Sequence, residues 1–185
     1  MLTSLFTDHY ELTMLQAALA SGAAHRPSVF EAFARRLPEG RRYGVVAGTG
    51  RLLEGLKNFH FDQAQLKFLS DTKVVNKETL SFLENFKFTG EITGYAEGEL
   101  YFPNSPILTV RSTFAEACVI ETYILSILNH DSAIASAASR MIAAAGTRPC
   151  IEMGSRRTHE ESAVAAARAA IIAGFDSTSN LEAGA

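Results

Sequence analysis

The strongest constraint on the fold lies in the stretch after Gly146. A short apolar run, Pro149–Met153, is followed by a polar turn, then the Ala-rich stretch Glu160–Ala173, then a second short apolar start at Phe175. Strand, helix and strand in alternation, with small residues on the helix faces, is the signature of parallel βα units. Such units demand more chain, because a parallel sheet needs both faces covered and a barrel needs a full circle of strands. Two βα units do neither. Ser179-Asn180-Leu181-Glu182-Ala183-Gly184-Ala185 reads as the start of a helix or loop with no closing element, so the sequence is expected to be part of a longer protein.

Upstream the pattern differs. Asp8 with Glu11 three residues later reads as a capping-box start to a helix over 8–20, and Gly22 as its stop. The alternation at Ser28–Arg35 predicts a strand. Tyr43–Gly48 predicts a second strand leading into a helix at about 50–58, and short amphipathic helices follow near 62–70 and 76–85. Between Phe88 and Ser112, three strand-like runs (90–95, 99–102 and 107–110) are separated by Glu97-Gly98 and Pro103-Asn104-Ser105-Pro106. These turn chemistries predict an antiparallel sheet with hairpins. Thr113 with Glu116 caps a helix from Phe114 to about Leu128, Asn129-His130-Asp131 reads as a cap and turn, and a second helix runs from about Ser132 to Ala145. The chain thus divides into an α/β region over 1–112, a helical connector over 113–147 and the incomplete start of a βα-type domain over 148–185.

Composition excludes several classes. A chain of 185 residues can bury a real core, and 47% hydrophobic with 20% charged residues is ordinary for a globular protein. A net charge of −3 and a pI of about 6.0 give no footprint for nucleic acid. The N-terminus has neither a basic region nor a long apolar core, and the Ala-rich tracts near 133–145 and 163–173 are broken before they reach a membrane span. Cys118 and Cys150 sit in apolar runs and read as reduced core thiols of a cytosolic protein. The five histidines show no metal spacing, and no phosphate-binding glycine loop or nucleophile elbow is present.

Three segments carry chemistry. Glu152-Met153-Gly154-Ser155-Arg156-Arg157-Thr158-His159 stands at the carboxyl end of a predicted strand and opens a helix. Paired guanidinium forks beside a helix N-terminus suit phosphate or pyrophosphate, though a solvated Arg pair fits the same letters. Gly174-Phe175-Asp176-Ser177-Thr178-Ser179-Asn180 follows the next strand and should lie beside the first segment. Its hydroxyls, amide and backbone donors read either as a small anion nest or as an ordinary helix cap. Tyr10, at the start of the first helix, is either core or a flat lid on an aromatic ligand.

Taken in order, these segments resemble the nicotinate phosphoribosyltransferase family from about Leu5 to the end. Thr7-Asp8-His9-Tyr10-Glu11-Leu12-Thr13-Met14 is similar to the family's T-D-x-Y-x-x-T-M opening, and Phe33-Ala34-Arg35-Arg36-Leu37-Pro38 to its F-x-R-x-L-P strand end. Phe88-Thr89-Gly90, Glu97-Gly98 and Phe102-Pro103 match its sheet, Asn129-His130 its L-N-H, and the segments at 152–157 and 174–180 its two barrel motifs. The stretch 41–50 looks closest to actinobacterial members.

The resemblance implies a truncated type II phosphoribosyltransferase fold, in which an α+β sandwich domain leads into an irregular α/β barrel. It implies nicotinate and phosphoribosyl pyrophosphate as substrates, ATP and Mg2+ as requirements of the full-length enzyme, and a cytoplasmic homodimer with interface active sites. Tyr10 would stack on the pyridine ring, reaching in from the neighbouring subunit. Arg156 and Arg157 would hold phosphate groups. Ser177, Thr178, Ser179 and Asn180 would line the pyridine-carboxylate and ribose-phosphate region beside Gly154 and Met153, the latter standing where relatives often have Phe. Ser179 would favour the acid over nicotinamide, for which relatives place an Asp nearby. The family's phosphorylatable histidine and magnesium-binding acids fall beyond residue 185, so the resemblance names no catalytic residue in this stretch, no metal site is expected here, and the piece alone should be inactive. A nicotinamide- or quinolinate-using relative, or a short non-catalytic module that dimerises or binds a nucleotide, are the alternatives.

Overall fold

Local caps set several of the helix boundaries in the computed structural model, which describes residues 4–184. Along the chain come α1 (His9–Ser21), β1 (Pro27–Ala32), β2 (Gly44–Val45), α2 (Thr49–Lys57), α3 (Gln63–Asp71) and α4 (Lys77–Glu84). Next are β3 (Glu91–Gly94), β4 (Leu100–Tyr101), β5 (Leu108–Thr113), α5 (Phe114–Ala145), β6 (Ile151–Glu152), α6 (Glu160–Ile172) and β7 (Ser177–Thr178). Asp62 and Gln65 close a reciprocal capping box on α3, and the Asn76 side chain accepts from Thr79 N–H to start α4. Gly22, at φ 74°, ends α1 as its position predicts.

The chain forms two compact units. One comprises the stretch ending at Ala32, Leu52–Gly94 and Leu108–Leu125; the other comprises Phe33–Arg51, Tyr95–Ile107 and the stretch from Ser126. The units interleave along the sequence.

In the first unit a three-stranded antiparallel sheet has the order β1-β5-β3, with Phe30 and Ile92 both opposite Val110. Leu12, Leu15, Leu69, Leu83 and Ile120 are buried, and Phe59 lies within 6.0 Å of the rings of Phe61, Phe86 and Tyr123. Two expectations change here. The strand from residue 28 stops at Ala32, before Arg35. The capping box at Asp8 and Glu11 does not form, because Asp8 makes no side-chain cap bond and Glu11 turns inward to accept from Thr122 of α5.

In the second unit β2 pairs with β4, so the three strand-like runs between 88 and 112 are not one meander; β4 is drawn off to another partner. The predicted break at Asn129-His130-Asp131 is also absent, since α5 is one continuous helix. The reason is a polar stripe of long-range contacts. Asp131 accepts both Nε and Nη2 of Arg51, Ser132 and Ser136 bond the backbone of Ala47 and Val45, and Arg140 donates to Tyr43 O. With its carboxylate held from outside the helix, Asp131 does not turn back on its own backbone to form a cap. Gly48, at φ +100°, is required beneath this stripe, where a Cβ would lie 2.9 Å from Ile127 Cγ2.

The chain then enters β6, α6 and β7, with β6 and β7 parallel and Glu152 opposite Thr178. This is the βα alternation the sequence predicts. Cys118 is buried, but Cys150 is only half-buried, and its backbone N–H donates to Asp176; it is not a core thiol. No helix among the described residues is long and apolar enough to cross a membrane.

Candidate functional site

The carboxyl ends of β6 and β7 lie side by side because the strands pair in parallel, and in α/β folds ligands gather at that end. After β6 the chain passes through the exposed Met153 and the half-buried Gly154 into a 3-10 turn, Ser155–Arg157. The arginines therefore precede α6 rather than open it, a correction to the sequence reading. Glu160 and Glu161 occupy the first turn of α6 and already complement its positive end. Arg156 and Arg157 are exposed, and their guanidinium groups make no hydrogen bond or ion pair among the described residues, so both are free for an anion.

The segment after β7 divides its polar groups in two. Thr178 Oγ1 donates to Glu152 and accepts from Asn180 N–H, while Asn180 donates to Ser155 Oγ at 3.1 Å and accepts from Ala183 N–H. The amides of Asp176 and Ser179 donate to the carbonyls of Cys150 and Glu152. Ser177 and Ser179 are exposed, and their hydroxyls have no partner among the described residues. The uniform donor nest read from sequence is thus a framework of Thr178 and Asn180 carrying two free serines. Sequence reasoning gave Glu152 no role; the available signal was an acid at the end of an apolar strand.

Tyr10 belongs to the other unit. It stands in the first turn of α1, 52% exposed, in an open concavity with Asp8, His9 and Thr13. The neighbouring Glu11 carboxylate, with smaller effects from desolvation, Glu121 and Asp8, pushes its phenol above the ordinary range and keeps the hydroxyl protonated. In the second unit, Glu97 accepts both Nη atoms of Arg168 and the N–H of Gly48, contacts that the reading of Glu97-Gly98 as a turn did not foresee.

This architecture is that of the type II phosphoribosyltransferases. The crystal structure of nicotinate-nucleotide pyrophosphorylase from Pyrococcus furiosus shares the fold at a TM-score of 0.74 and 24% identity, over 98% of this chain and 39% of that one. The model of the nicotinate phosphoribosyltransferase (NAPRTase) N-terminal domain matches residues 5–129, and the chain belongs to that family. The Mycobacterium tuberculosis protein named nicotinate phosphoribosyltransferase pncB1 is 64% identical over 97% of this chain and 40% of its own length. The crystal structure of human nicotinic acid phosphoribosyltransferase superposes at a TM-score of 0.86 with 30% identity, covering 96% of this chain and 37% of that one. The chain thus spans about 40% of the length of that Mycobacterium tuberculosis relative and 37% of the human chain.

Proposed function

We propose that the whole protein is a nicotinate phosphoribosyltransferase of NAD salvage, joining nicotinate to the phosphoribosyl group of phosphoribosyl pyrophosphate and releasing pyrophosphate. The observation that carries this reading is the identity, along nearly all of the chain, to the Mycobacterium tuberculosis protein of that name.

The chemistry fits the residues. Phosphoribosyl transfer passes through a charge-separated, oxocarbenium-like state, so catalysis needs fixed donors around the leaving pyrophosphate more than a strong nucleophile. Arg156 and Arg157 supply unpaired guanidinium forks of the right chemistry. The free hydroxyls of Ser177 and Ser179 donate to nicotinate's carboxylate without adding charge, where an acid would repel it. In this reading Met153 and Gly154 border the ring, Thr178 and Asn180 support the pocket rather than bind directly, and Tyr10 stacks on the pyridine from the neighbouring subunit of a cytoplasmic homodimer. ATP and Mg2+ belong to the reading of the whole protein alone. Among the described residues no group of three His, Cys, Asp or Glu side chains could hold a metal ion. By itself this chain is expected to be inactive.

The test is nicotinate-dependent pyrophosphate release by the full-length protein, with nicotinamide and quinolinate as competitors. Nicotinate should support release and the other pyridines should compete poorly. Binding nicotinate no better than benzoate, with no mononucleotide formed, would overturn the reading.

A further inference from the structure

Glu152 makes three contacts across the two loops that bear the free arginines and serines. Its carboxylate accepts the backbone N–H of Gly154, at the head of the arginine turn, and the Thr178 hydroxyl at 2.7 Å. Its carbonyl accepts Ser179 N–H at 2.9 Å. The circuit continues from Thr178 to Asn180 and from Asn180 to Ser155, the residue before Arg156. Gly154 is needed for this approach, because a Cβ there would lie 2.7 Å from Glu152 Oε1.

The circuit has a direction. A carboxylate only accepts, so the Thr178 proton points at Glu152 and its lone pair receives Asn180 N–H. That arrangement fixes Asn180, which in turn fixes Ser155. We propose that Glu152 is a positioning residue for phosphoribosyl transfer, its carboxylate cross-linking the Gly154–Arg157 turn to the Thr178–Asn180 segment so that Arg156 and Ser179 keep a fixed separation. This rests on the reading of the protein as a nicotinate phosphoribosyltransferase. Glu152 touches no reacting atom; it acts through Thr178 and Gly154.

The experiment is a double-mutant cycle in the full-length protein with Glu152→Gln and Thr178→Val. Gln keeps the length and one acceptor for Gly154, but its NH2 cannot accept the Thr178 proton. Each single variant should raise KM for phosphoribosyl pyrophosphate or lower kcat by roughly tenfold, the scale of a small displacement of binding groups. The double variant should be no worse than the worse single one, because both cut the same circuit. Amide hydrogen exchange in Glu152→Gln should quicken at 153–157 and 177–180 and nowhere else. Unchanged kinetics in Glu152→Gln, multiplied effects in the double variant, or unchanged exchange in the two loops would each overturn the proposal. If the wild type releases no pyrophosphate, the functional reading falls, and the cross-link itself still stands or falls on the exchange.

Discussion

Glu11 is fully buried in the first turn of α1, one residue from the exposed Tyr10. Its carboxylate accepts from the Thr7 hydroxyl and from both N–H and hydroxyl of Thr122, the last at 2.7 Å, and so pins the start of α1 to α5. Hydrogen bonds to a charged group are worth about 1.5–3 kcal/mol each, and these three share one acceptor group. Glu11→Ala should therefore cost about 3 kcal/mol, well short of the sum of its bonds. For a domain of this size that is a fall of roughly 6–12 °C in Tm.

The pH dependence gives the sharper test. Burial pushes the Glu11 carboxyl above its ordinary value of 4.5, with the Glu121 charge adding to the shift, and the bonds from Thr7 and Thr122 offset only part of it. The folded protein thus holds the proton more tightly than the unfolded chain. The stability this confers is fully present below about pH 4.5 and is lost as pH rises through the raised value. Glu11→Gln keeps the size of the side chain and carries no such titration. Urea midpoints of the wild type and Glu11→Gln, taken across pH 4 to 8, should show the wild type losing ground to the variant as pH rises. A wild type that gains on the variant with rising pH, or an Ala variant that melts with the wild type, would refute the reasoning.

Arg168 holds Glu97 below the usual carboxylate range, so this pair stabilises above about pH 4.5 and fails as pH falls through the depressed value. Because the Arg168 side chain is 38% exposed, Glu97→Gln should cost only about 1 kcal/mol at pH 7, a difference that should vanish in acid when urea midpoints are compared. Gly90→Ala would set a Cβ 2.5 Å from Arg111 O, a backbone atom that cannot swing away, so β3 must shift against β5. A loss of about 1–3 kcal/mol in denaturant unfolding is expected. Burial pushes the Cys118 thiol up to about 12, so in the folded protein at pH 8 iodoacetamide should label Cys150 and spare Cys118, as peptide mapping would report.

Most helices and the final βα alternation were legible because their signals are local. The left-handed Gly22, the pair Asp62 and Gln65, and the apolar periodicity each act within a few residues. The failures share a different cause. Asn129-His130-Asp131 has every local feature of a cap, and the helix runs through it because Arg51, distant in sequence, takes the Asp131 carboxylate. Glu11 has the spacing of a capping box, and Thr122 of another helix claims it. β4 follows β3 with turn residues between them, and β2 pairs with it. In all three, a polar group or strand edge is satisfied by a partner that no window of sequence contains.

The candidate site follows the same rule at smaller scale, and there the sequence held more than was read from it. Ser177-Thr178-Ser179-Asn180 looks like a uniform row of donors. A strand, however, turns successive side chains to opposite faces. Thr178 stands opposite Glu152 in the register of β6 and β7, and its hydroxyl is taken by that acid. The alternate positions, Ser177 and Ser179, are left free. Applying a period of two to the hydroxyl row would have separated the free hydroxyls from the bonded ones before any coordinates. The framework half would still have lacked its anchor, because only the parallel pairing of β6 with β7 brings Glu152 to Thr178.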